Sequence, residues 1–257
     1  CADFDNDGFL DFHVTSFQQE IATLYRNIGG QLLEDVTRQS GAGIGTRAPV
    51  TWGTGFADFD NDGDKDLYVA CGHLYDQIDK FDRTSTYETP NVLFENIGKG
   101  RFKNISAAAG QGMQIQRCSR GAAFDDLDGD GDVDVVVLNL RGKPTLLRND
   151  SDNNNRWLAI DLRGTLSNRD GVGAMVEIKA GGKPQIAEVH SGRGYQGHHG
   201  SRIHFGVGEN KTVESVRISW IGGASQLLQG VGTNQVIQVE EASPDPKTNR
   251  VQGRSRP

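Results

Sequence analysis

Residues 1–14 read CADFDNDGFLDFHV and set Asp3, Asp5, Asp7 and Asp11 around a single glycine, Gly8. Carboxylates packed this tightly repel one another, so the stretch is either a solvated acidic turn or a cradle whose charge a cation offsets. The pattern returns as DFDNDGDKD at Asp58–Asp66 and as DLDGDGDVD at Asp126–Asp134. Numbered from the first Asp, every copy has acids at positions 1, 3, 5 and 9 and glycine at position 6 (Gly8, Gly63, Gly131). An acidic turn without metal accounts for any single copy, whereas repetition in one register points to a shared ligand.

That register is the ligand spacing of a calcium loop: side chains from 1, 3, 5 and 9 and the carbonyl of 7 surround the ion, and glycine permits the sharp turn. The expected ligands are Asp3, Asp5, Asp7, Phe9 and Asp11 in loop one; Asp58, Asp60, Asp62, Asp64 and Asp66 in loop two; and Asp126, Asp128, Asp130, Asp132 and Asp134 in loop three. Phe9, Asp64 and Asp132 occupy position 7, where only the backbone matters. An EF-hand would continue to a bidentate Glu at position 12, but Val14, Val69 and Val137 stand there. Alternating apolar runs follow instead (FHV, LYV, VVVLNL), so the loops are expected to enter β-strands.

Composition agrees with a β-rich chain of one large or two smaller domains: 257 residues, 34 glycines and 35% hydrophobic residues. No apolar run approaches the ~18 residues of a membrane helix. The formal charge of −7 is concentrated in the loops, and three calcium ions would bring it to about −1. No basic stripe is present to offset phosphate charge, so a nucleic-acid partner is not expected. Cys1, Cys71 and Cys118 show no CxxC spacing; buried thiols are the default, and a Cys71–Cys118 bridge stays open for an oxidising compartment.

A second piece recurs with the loops: LYRNIGG from Leu24, LFENIGKG from Leu93 and LLRND from Leu146, each an apolar pair, one residue, then Asn. The Asn lies 24, 38 and 23 residues after the first Asp of its loop, and the next loop begins 31 residues after Asn27 and 30 after Asn96. One unit is thus about 55 residues, the size of a four-stranded propeller blade, with an insertion of roughly 14 in the second. These residues resemble the FG-GAP or VCBS calcium propeller repeats of integrin α-chain heads and cartilage acidic protein. The resemblance implies an all-β partial propeller of about three blades over residues 1–150, incomplete at the N-terminus, with about three calcium ions. Because a propeller needs at least four blades, the chain is expected to be the C-terminal part of a longer protein.

After NDSDNNNR the composition changes, and six short alternating runs separated by Gly-rich turns predict a small β-sandwich over residues 155–241. SNRDGVGAMVEIKAGG, SGRGY before HFGVGE, and VRISWIGG before NQVIQVEE resemble the ASPIC and UnbV domain. Residues 242–257 are Pro-rich and charged and read as a disordered tail.

Catalytic signatures are weak. GRGYQG at Gly192 fits G-x-G-x-x-G, but a strand rather than a helix is expected after it. His190, His198, His199 and His204 offer a less favoured metal site, since His198 and His199 would face opposite sides of a strand. A carboxylate held on calcium stays ionised and is a poor general acid. The expected function is therefore a calcium-stabilised, extracellular or periplasmic binding or adhesion module for a protein or glycan partner, with no enzymatic role. The alternative is an accessory part of a secreted carbohydrate-active or other hydrolytic or lytic enzyme. The insertion between Cys71 and Pro90 is the candidate binding loop, with Tyr75 and Phe81 either binding or packing residues. Sequons at Asn104, Asn149 and Asn210 mark candidate glycosylation sites.

Overall fold

Each acidic loop is followed by a strand whose first turn of backbone the loop delivers. In the computed structural model, which describes residues 1–242 and 252–254, the chain is built almost wholly of short strands in separate sheets. Sheet one holds β1 (Phe12–Val14), β2 (Thr23–Ile28) and β3 (Leu32–Asp35), and is followed by the single helical turn α1 (Thr37–Ser40). Sheet two holds β4 (Thr51–Ala57), β5 (Asp66–Cys71), β6 (Val92–Asn96) and β7 (Phe102–Asn104) in that order. Sheet three holds β8 (Ser119–Asp125), β9 (Asp134–Asn139) and β10 (Thr145–Leu147). All pairings in these sheets are antiparallel meanders. Among the described residues the three sheets form no closed ring.

The alternation read from the sequence explains how the sheets stack. On β5, Leu67 and Val69 face sheet one and pack with Phe4, Leu24, Phe94 and Phe102. Tyr68 and Ala70, one residue out of phase, face sheet three and pack with Phe124, Val135 and Val137. Glycines let the stack close up, since a Cβ on Gly53 would stand 2.7 Å from the Ala122 amide nitrogen. The corresponding face of sheet one is open: Phe12 is 42% and Val14 51% exposed, where Leu67 and Val69 are wholly buried.

The rest of the chain folds as two further sheets. Its strands are β11 (Arg156–Arg163), β12 (Met175–Ala180), β13 (Lys183–Glu188), β14 (Ile203–Gly208), β15 (Thr212–Ser219), β16 (Ser225–Gly232), β17 (Gln235–Glu240) and β18 (Gln252–Arg254). The orders are β14-β11-β17-β18 and β13-β12-β15-β16, with β11 and β17 parallel. Between them lies one apolar core that includes Leu158, Ile160, Val176, Ile178, Phe205, Val216, Ile218 and Trp220. The six alternating runs are all strands; β16 is an addition, because Gly230 and Gly232 gave its sequence the look of a turn. The tail expected over 242–257 lies mostly outside the described residues, with 252–254 forming the short β18.

The link between the two parts is anchored: the Asn153 and Asn155 side chains both donate to the Asp60 carbonyl, at 3.0 and 2.8 Å. Loops two and three in turn carry the second part. Gly206 of β14 lies against Asp58 and Asn61, where a Cβ would come within 2.2 Å of the Asp58 carboxylate. Trp157 stacks on His204 with ring centres 5.7 Å apart, and its indole covers Gly131. Cys71 and Cys118 are free and buried, with Cys118 Sγ donating to the His73 carbonyl at 3.2 Å and burial pushing the Cys71 thiol up to about 12.

The position 6 glycines separate backbone strain from packing. Gly8 and Gly131 have φ of +91° and +100°, so alanine at either costs about 1–2 kcal/mol in backbone strain. Only Gly131→Ala also drives a methyl to 1.7 Å from Trp157 Nε1, whereas Gly8 has nothing within 4 Å. Gly131→Ala is therefore expected to lower the calorimetric melting temperature clearly more than Gly8→Ala. Equal losses would show that Trp157 moves aside without cost.

Candidate metal centres

The carboxylates of each loop are positioned by backbone amides that the tight turn points inward. Position 1 takes two of them: Asp3 accepts from Asp7 and Gly8, Asp58 from Asp62 and Gly63, and Asp126 from Gly129 and Gly131. Position 5 accepts from position 7, with Asp7 bonded to the Phe9 amide, Asp62 to Asp64 and Asp130 to Asp132. The turn needs left-handed backbone at position 4 as well as position 6, which explains Asn6 (φ 59°), Asn61 (φ 60°) and Gly129 (φ 83°).

Position 9 has a separate job. Asp11 accepts the Phe4 amide with one oxygen and the Asn27 amide with the other, at 3.1 and 2.8 Å. Asp66 does the same with Phe59 and Asn96, and Asp134 with Leu127 and Asn149. This is what the recurring Asn is for. Its side chain then donates outward: Asn27 to the Leu10 carbonyl, Asn96 to the Lys65 and Phe4 carbonyls, and Asn149 to the Phe59 carbonyl. The Asn104 and Asn210 amides also donate internally, to Ile44 and Val207, so all three sequon side chains are already engaged.

Three carboxylates converge in every loop, with ligand oxygens within 4.8 Å of one another: Asp3, Asp5 and Asp11; Asp58, Asp60 and Asp62; Asp126, Asp128 and Asp130. The remaining acids of the expected sets stand outside these triads. Asp66 and Asp134 are occupied as clamps. Asp7 instead meets Arg26, whose guanidinium also reaches Asp5 at 2.6 Å and so supplies loop one with an internal cation. At position 7, Asp64 uses its side chain to hold Lys183 at 2.7 Å and Asn6 at 2.7 Å, and Asp132 holds Asn61 at 2.9 Å. Phe9 presents an exposed ring and a backbone amide bonded to Asp7.

Position 4 asparagines join the loops into a series. Asn6 donates to Gly63 O and Asp64 of loop two, and Asn61 to Gly131 O and Asp132 of loop three. Asn61 also lies 2.7 Å from His204 Nε2, and Lys65 Nζ donates to the His204 carbonyl. Burial dominates His204 and lowers it to about 3, so it is neutral here. Among the described residues the histidines join no ligand cluster: His199 packs edge-on against Phe124, and His190 stands 3.7 Å from Cys1 Sγ. GRGYQG lies in turns with no helix behind it, so it offers no phosphate site.

The donor set is all hard carboxylate oxygen, which suits a hard divalent cation. Desolvation is the largest cause of raised acid pKa values in these loops: Asp3 to about 6, Asp11 to about 7, Asp58 to about 7, Asp62 to about 6 and Asp132 to about 6. Asp66 also lies well above its ordinary value. The folded metal-free protein thus retains protons, between about pH 4 and 7, that the unfolded chain has already released. On these acids stability falls as pH rises through that window, opposed in part by His13, His199 and His204, which burial lowers to about 3. In chelator, the melting temperature is expected to drop from about pH 5.5 to 7.5. Calcium at about 100 times its dissociation constant should restore about 2.7 kcal/mol per site. A melting point that rises over that interval, or ignores calcium, would contradict this account.

Comparison with known proteins finds two family matches in the chain. Residues 3–69, which contain loops one and two, match the FG-GAP-like repeat, and residues 164–246 match ASPIC and UnbV. Loop three lies beyond the first match but repeats its bonds. No curated protein matches the chain. Among solved structures it is similar to a candidate cell adhesion protein from Bacteroides ovatus, with 9% identity over 96% of this chain and 97% of that one. The TM-score is 0.21, too low to bear on fold or function. The chain therefore carries an FG-GAP-like repeat followed by an ASPIC and UnbV domain.

Proposed function

We propose that this protein is a calcium-stabilised binding or adhesion module acting in an extracellular or periplasmic space, in which the three sheets are consecutive propeller blades. The observation that carries the reading is the threefold cluster of carboxylates on one interlocked loop series, with the second domain seated on loops two and three. In loop one Asp3, Asp5 and Asp11 would hold the ion, with Asp7 and the Phe9 carbonyl beside them. Asp58, Asp60 and Asp62 serve in loop two, and Asp126, Asp128 and Asp130 in loop three. Bound calcium supplies charge that offsets the crowded carboxylates. These acids carry no catalytic role in this reading.

Recognition falls to the long connection between β5 and β6. Tyr75 and Phe81 are 60% and 82% exposed, so they are not packing residues of a core. The base of the same connection is fixed: His73 is buried, lies 3.0 Å from Gln18 Oε1, and its carbonyl accepts from Arg120. A rigid base with exposed aromatics suits a protein or glycan ligand.

On a panel of glycans and matrix proteins, calcium-dependent binding is expected that Tyr75→Ala and Phe81→Ala remove while changing stability by less than about 0.5 kcal/mol. Asp60→Ala should lower the melting temperature in calcium. Turnover of glycan or ester substrates that is lost in Asp60→Ala or in the exposed-turn variant Asp170→Asn without destabilisation would overturn the non-catalytic reading.

A further inference from the structure

The three loops differ in one neighbour, the residue just before the recurring Asn. It is Arg26 for loop one, Glu95 for loop two and Arg148 for loop three. Position 9 clamps the Asn amide in each copy, so this neighbour starts from the same place beside its loop. Arg26, on β2, has Nε 2.6 Å from Asp5 Oδ2 and donates through Nη2 to Asp7 Oδ2 at 2.8 Å. Glu95 carries no positive charge; of the lysines beside loop two, Lys183 meets Asp64, outside the triad, and Lys65 turns to the His204 carbonyl. Arg148 is 62% exposed, pairs with Asp150 at 2.6 Å and stands 3.9 Å from Asp128. Among the described residues no side-chain cation except Arg26 comes within 3 Å of a triad carboxylate.

The carboxylates record the difference. Position 5 joins the triad in loops two and three, as Asp62 and Asp130, whereas in loop one Asp7 is drawn aside and Asp11 stands in the triad instead. Asp7 has both oxygens engaged, one by the Phe9 amide and the other by Arg26. Asp5 is left half satisfied, since its Oδ1 is buried and has no hydrogen-bond partner among the described residues. A buried carboxylate oxygen without a donor is costly unless a cation meets it, so loop one fits an ion that the guanidinium does not replace. The guanidinium is not locked in place either. Its side chain is 37% exposed, and Nε, although close to Asp5, makes no aligned hydrogen bond.

We propose that Arg26 is a built-in competitor for calcium at loop one: the ion gains Asp7 only when the guanidinium swings off it toward solvent, so loop one fills last. This rests on the calcium reading of the loops. Calcium takes about six to eight oxygens, and the Asp7 oxygen that holds Arg26 cannot serve both partners. A unit positive charge beside the site also repels a divalent ion. Loops two and three then hold the structural ions, and loop one is the site that responds to calcium concentration.

The test is a calorimetric calcium titration of the full chain, stripped of metal beforehand. Two tighter steps and one weaker step are expected. Arg26→Gln should strengthen the weakest step about tenfold or more, the scale of removing one unit charge beside a divalent ion. Arg148→Gln, which removes an exposed charge, should change every step by less than about threefold. A second measurement leaves the protein unaltered: the Arg26 Nε–Hε resonance, assigned by its absence from Arg26→Lys, should shift only during the weakest step. If Arg26→Gln leaves every step unchanged, or the resonance moves in a tighter step or stays fixed at saturation, the competitor role is overturned while the calcium reading stands. Absence of calcium uptake by the parent and by Arg26→Gln would overturn both.

Discussion

The structure depends on one carboxylate per loop that accepts two backbone amides from different places. Asp11, Asp66 and Asp134 each close their own loop through position 2 and hold the Asn amide at the end of a neighbouring strand. Each clamp uses both carboxyl oxygens as acceptors, and it sits at the first residue of the strand or just before it. Loop geometry and strand register are therefore one constraint. The converging carboxylates are crowded because this clamp brings the chain back on itself within nine residues.

From that clamp the loops build outward to one another. Asn96 and Asn149 reach back to the preceding loop, and Asn6 and Asn61 reach forward to the next. Each asparagine satisfies a carbonyl inside a neighbouring acidic loop, at Phe4, Phe59, Gly63 or Gly131, that belongs to no strand ladder. The second domain uses the same surface, through Lys183 on Asp64, His204 beside Asn61 and Trp157 over Gly131. A change in loop charge is thus felt at the domain interface directly, by the residues that form it.

The division of labour follows from what the clamp leaves free. Strands and loops are committed to packing, while the connection from Cys71 to Pro90 has a fixed base at His73 and an exposed end at Tyr75 and Phe81. The recognition proposed there would not compete with the core for the same side chains.

The sequence by itself determined the tight acidic loops and the strands after them. Within nine residues, spacing and turn geometry are the same information: Asp3, Asp5 and Gly8 sit on one tight bend whatever surrounds it, and alternation in LYV or VVVLNL assigns faces without further help. The recurring Asn was visible as a repeat, but its purpose was not, since Asn27 meets a carboxylate 16 positions away and Asn96 a carbonyl 92 positions away. Only the tertiary structure decided that position 9 acts as a clamp outside two of the triads, that Arg26 shares loop one with the acids, and that β16 is a strand despite its glycines. These are contacts between elements, and they exist only once the sheets have stacked and fixed which residues, distant in sequence, face one another.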